Sequence, residues 1–105
     1  MAINNNSGEV IQLDEAIEYT HAFQEDNPES IKAFFAGINK INHVLGQEDC
    51  IGIRFYSGLD PVTGVKNLVL VGVNQEGEDI TEGVIVEKLI TCPTICAKNS
   101  ALIKP

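Results

Sequence analysis

Apolar residues recur every three or four positions in the first 45 residues, and every second position after residue 50. Leu13, Ala16, Ile17, Thr20 and Phe23 trace one face of a helix,. Asp14, Glu15 and Glu18 crowd its first turns, where the helix dipole favours negative charge,. The pattern predicts a first helix over roughly 13–25,. In "DNPES", Asn27 suits an N-cap, Pro28 the first helical position and Glu29 the dipole,. A second helix is therefore predicted up to a stop at Gly46, with Ile31, Phe34, Phe35, Ile38, Ile41 and Leu45 along one stripe,. Ala33 and Gly37 sit beside that stripe. A glycine inside a helix costs about 1 kcal/mol, and close approach of the first helix in an αα-hairpin would explain it.

The period then becomes two. Ile51, Ile53 and Phe55 alternate with Gly52, Arg54 and Tyr56, as in a strand with one buried face,. "SGLDPVTG" reads as a turn, and "NLVLVGV", apolar on both faces, as a central strand,. "NQEGED" is a second turn in which Gly77 can take the positive φ required,. "GVIVEKL" is a third strand, and the chain from about 91 is an irregular tail. The expected fold is α+β: an N-terminal helical hairpin packed on one face of a three- to four-stranded antiparallel meander, in the order ααβββ. The arm or the tail would supply the fourth strand. Residues 1–8 form a flexible arm in this reading and 9–105 a single domain. The core comprises the second-helix stripe with Ile51, Ile53, Phe55, Leu68, Val69, Leu70 and Val71.

The charge balance narrows the partners. Seven basic residues face fifteen acidic ones, a net charge of -8, which leaves no basic face for nucleic acid or anionic membrane,. "MAINNNSGEV" lacks the basic and apolar regions of a secretory signal, and no apolar run approaches the ~20 residues that span a bilayer,. The expected compartment is the cytoplasm, where the three cysteines would be reduced,.

Those cysteines include "TCPTIC", residues 91–96. "CIGIRFYSGLD", "LVLVGVNQEGED" and "CPTIC" together resemble an uncharacterised family of small Bacteroidetes proteins. Its pattern is a Cys-x-Gly-Ile-Arg strand, a Leu-Val-Gly-Val strand with an acidic glycine turn, and a Cys-Pro-x-x-Cys tail. The resemblance implies no activity and no catalytic residues. Here Thr94 stands where proline is usual.

Candidate chemistry is sparse. A zinc knuckle calls for paired CxxC motifs, whereas this chain has one CxxxC and would need Cys50, His43 or His21 to complete the set,. In a meander Cys50 falls at the opposite end of the sheet from Cys92, so no metal site is expected. A redox pair needs Cys92 and Cys96 within one turn, because an extended segment holds their Cα atoms too far apart for a disulfide. The plainer reading is a structural motif that turns once, anchored by Ile95, its thiols reduced or paired to each other. His43 near Cys50 suggests a nucleophile and its base, without an orienting third group,. Arg54, the single arginine, lies beside Gly52 and Tyr56 and could bind a carboxylate or phosphate, or pair with an acid of the chain itself,. The acidic stretch from Asn74 to Asp79 with Glu82 does not fit calcium-loop spacing,.

No catalytic residue and no cofactor follow from these patterns. The expected function is a small cytoplasmic binding or interaction module. The alternatives are a thiol-redox or thiol-metal protein using Cys92 and Cys96, and a structural subunit of a homo-oligomer.

Overall fold

A computed structural model describes residues 3–105; positions 1 and 2 of the expected arm lie outside the described residues. In chain order the elements are α1 (Leu13–Asp26), β1 (Ala33–Phe35), α2 (Ile38–Leu45), β2 (Gly52–Leu59), β3 (Lys66–Val73), β4 (Ile85–Val86) and β5 (Ile90–Cys92). The fold is α+β, with two helices and an antiparallel meander. The chain forms two compact units. A sheet unit holds the residues up to Ser7 with Phe35–Ile90, and a helix–tail unit holds Gly8–Phe34 with Thr91–Pro105.

In the sheet unit β3 lies between β2 and β4, as its two-sided apolar sequence predicts,. Gly52 pairs with Val73 and Leu59 with Lys66 in a continuous antiparallel register. The connecting turn is built by Asp60, whose Oδ1 accepts the amides of Val62 (2.9 Å) and Thr63 (3.3 Å), while Gly64 takes a φ of 76°,. After β3, Asn74 Oδ1 does the same for Glu76 and Glu78, and Gly77 takes a φ of 83°,.

Helix α2 packs on the sheet face that carries Leu70. Val44 and Leu70 are each 0% exposed there. Gln47, just past the helix, ties this layer together: its Nε2 donates to the Val44 carbonyl and its Oε1 accepts the Val84 amide, both at 2.8 Å. Gly72 and Gly83 leave room for that side chain, since a Cβ at either would collide with it.

The expected helical hairpin does not form. Residues 28–37 are not helical, and the second helix is only the eight residues of α2. Asn27, expected to start that helix, closes the first one: its amide and its side-chain Nδ2 both donate to the Phe23 carbonyl. Gly37 is the N-cap of α2 in extended backbone (φ −66°, ψ 150°), which relieves the cost of an interior glycine,. Phe34 and Phe35, read as helix core, fall in β1, where aromatic side chains are favoured,. Phe35, Ile38, Leu45 and Phe55 are exposed rather than core.

In the helix–tail unit α1 turns Ala16, Ile17, Thr20 and Gln24 inward. Gln24 is buried and holds the C-terminal segment with both ends of its amide: Nε2 donates to the Leu102 carbonyl (3.1 Å) and Oε1 accepts the Lys104 amide (2.8 Å). His21 Nε2 donates to the Ala101 carbonyl at 3.0 Å. The tail, expected to be irregular from about 91, contains no helix or strand after Cys92. Residues 90–92 form β5, which pairs with β1 in a separate two-stranded sheet instead of joining the meander. Pro93, which has no amide to donate, follows the strand directly,.

Candidate functional site

The alternation of β2 places Gly52, Arg54 and Tyr56 on the sheet face opposite α2, beside Val69, Val71 and Val73 of β3,. Asp79 sits on that face too, opposite Val73 and on the far side of β3 from Arg54. Arg54 Nη1 donates to Asp79 Oδ1 at 2.6 Å, and the Tyr56 hydroxyl donates to Asp79 Oδ2. Arg54 also reaches the Gly77 carbonyl at 3.4 Å. The network bridges over β3, where Val71 and Val73 are almost fully buried.

The three groups tune one another. The Tyr56 hydroxyl, and after it the Arg54 guanidinium, hold the Asp79 carboxyl below the usual carboxylate range,. Asp79 in turn raises both Tyr56 and Arg54. Arg54 and Tyr56 are therefore brought together, around an internal acid rather than an outside ligand. Asp79 lies 25 residues from Arg54, and no spacing rule links them.

The cysteines separate into two settings. Cys92 and Cys96 form a disulfide with Cα atoms 4.8 Å apart, and the Ile95 amide donates to the Thr91 carbonyl in a single turn. Cys92 is buried and Cys96 exposed. Ile95, expected to anchor the turn, is exposed. Cys50 is a free thiol that donates to the Gly52 carbonyl at 3.3 Å, not to His43. Among the described residues no three His, Cys, Asp or Glu side chains converge as a metal site.

A further surface was not read from the alternation alone. Strand β2 is the outer strand of the sheet, and all eight of its residues pair with β3 on one side only. Phe55 and Leu59 are 58% and 61% exposed on the α2 face, and Tyr56 is exposed on the other. The run "FYSGL" contains no charge, no proline and no bulge, the devices with which proteins blunt an exposed edge,. That composition was the available signal. Beside the first half of β2, the turn at Asn4–Ser7 borders a groove of about 430 Å³ lined by Ile3, Asn4, Ile51, Ile53, Arg54 and Val73.

No protein-family model, no curated protein and no solved structure matches the chain.

Proposed function

We propose that the protein is a small interaction module that binds a protein partner through the outer edge of β2. One observation carries the reading: an exposed, uncharged, apolar edge from Phe55 to Leu59, with open backbone groups along it,. Such an edge takes an added strand, with backbone hydrogen bonds giving affinity and alternate side chains giving selectivity. The Arg54–Asp79–Tyr56 network supports this use, because it keeps the strand's one charge internally paired. The resemblance to the Bacteroidetes family is compatible with a binding role and adds no chemistry. A photo-crosslinking residue at position 59, in cells, is expected to capture a defined protein band, while one at exposed position 23 is not. Equal, diffuse labelling from both positions would contradict the reading.

A second reading rests on the Cys92–Cys96 bond. A dithiol reductant would open it to two thiols while becoming a disulfide itself, as in a thiol-redox protein. A cytoplasmic location, expected from the sequence, would keep these thiols reduced. Alkylation of intact cells before lysis separates the cases. Thiols that react at once fit the cytoplasm. Thiols that react only after reduction fit an oxidising compartment and a standing disulfide.

A further inference from the structure

We infer that the partner at the β2 edge is a second copy of this chain, joined antiparallel about a two-fold axis through Ser57. This rests on the edge-binding reading above and names its occupant.

The backbone supplies the first argument. The Asp60 amide donates to the Val65 carbonyl, and the Ile80 amide donates to the Gly72 carbonyl away from β2. With the observed register, Gly52, Arg54, Tyr56 and Gly58 direct their backbone groups to β3,. Ile53, Phe55, Ser57 and Leu59 direct theirs outward. An axis through Ser57 sets Ser57 opposite its own copy, and Phe55 opposite Leu59 of the second copy. Every outward amide from 55 to 59 then meets an outward carbonyl.

The side chains give the second. In this register the two most exposed apolar residues of the strand, Phe55 and Leu59, cover each other on one face,. On the other face Tyr56 lies over Gly58, an aromatic covering a bare backbone position. Arg54, already paired with Asp79, lies opposite Asp60, so no like charges face each other across the two strands.

The two ends of the strand also match in shape. The same register carries the 60–64 turn of one copy past Ile51–Ile53 of the other. That turn projects Val62, 91% exposed. The place it reaches holds the groove lined by Ile3, Asn4, Ile51, Ile53, Arg54 and Val73. A protruding apolar side chain and a mixed polar and apolar recess with three isoleucines in its wall thus fall together at both ends of one symmetric contact. Pairing two three-stranded sheets in this way gives one six-stranded sheet and removes the open edge of both,.

Ser57→Cys tests the register with one change at an exposed site. Opposite residues of a hydrogen-bonded pair have Cα atoms about 5.5 Å apart, within disulfide reach. The purified variant is expected to form a covalent dimer under mild oxidation. The parent chain and Leu59→Cys, whose copies lie four residues out of register, are not. Light scattering across a dilution series is expected to show twice the protomer mass for the parent chain, and the protomer mass for Phe55→Lys/Leu59→Lys with unchanged circular dichroism. A parent chain that stays monomeric throughout, with no Ser57→Cys cross-link, overturns the inference. If position 59 still captures another protein in cells, the inference falls while the edge-binding reading stands. If it captures nothing, both fall.

Discussion

The sheet unit and the helix–tail unit are held together by different means. Val44, Leu70, Val71, Val73 and Leu89, the buried apolar side chains among the described residues apart from Cys92, all belong to the sheet unit. The helix–tail unit buries Gln24 and Cys92 instead. The first thus relies on apolar area withdrawn from water on both faces of β3, Leu70 on the α2 side and Val71 and Val73 on the side of the Arg54–Asp79 network,. The second relies on directional ties: a disulfide that closes one short turn, and a glutamine amide that takes the place of a backbone pair with a segment distant in sequence. Each unit also uses one glutamine as a connector, Gln47 in the sheet unit and Gln24 in the other. A short segment with little apolar surface can be ordered by directional bonds, whereas a broad sheet face requires packing.

The strongest way to break this contrast is a cavity in the sheet unit. Leu70→Ala should cost about 2–5 kcal/mol, since the side chain is fully buried,. Phe23→Ala, at a half-exposed position in the helix–tail unit, should cost about 1 kcal/mol or less,. Urea denaturation followed by circular dichroism measures both. Equal losses would erase the distinction between the units.

Next is the covalent tie. Cys92→Ser/Cys96→Ser removes a cross-link that closes a very short loop, worth about 2 kcal/mol by loop-closure entropy,. The loss should be local: amides of 91–96 should exchange faster while those of β3 do not. A smaller effect is expected from Gln24→Ala, about 1 kcal/mol, because water can reach the Leu102 and Lys104 backbone groups once they are released,. Limited proteolysis should then cut the tail after residue 100 faster than in the parent chain.

Much of the sheet unit was legible in the sequence, and less of the other. Period-two alternation in 51–56 and the two-sided apolar run 67–73 report directly on strands, and Asp60 and Gly77 mark the turns. The helical period predicts too long a second helix because Ile31, Phe34, Phe35 and Ile38 match it by coincidence of spacing. The competing signals were Gly37 and the paired aromatics, and they prevailed once β5 offered β1 a partner,. Alternation with Arg54 assigns Phe55 to the core, yet periodicity tells which residues share a face and not whether anything covers it. Gln24, Gln47 and Asp79 act through single long-range bonds, which leave no periodic trace.

The smallest expected effect concerns Asp79. Its folded carboxyl titrates below its unfolded value, so the pair with Tyr56 and Arg54 stabilises the fold above the ordinary carboxylate pKa of about 3.9,. That contribution is lost as pH falls through the lower, folded value. The difference in urea midpoint between the parent chain and Asp79→Asn should therefore be larger at neutral pH than in acid. A difference constant with pH would mean that the charge on Asp79 plays no part.

Residue-resolved amide hydrogen exchange on the purified chain reads the outer edge of β2 most directly. Amides of Arg54, Tyr56 and Gly58 face β3 and should be protected at every concentration,. Amides of Phe55, Ser57 and Leu59 face outward, and should become protected as concentration rises and a second strand covers them. Outward amides that exchange as fast as those of the exposed residues 97–99, even in the most concentrated sample, would contradict a second strand on this edge.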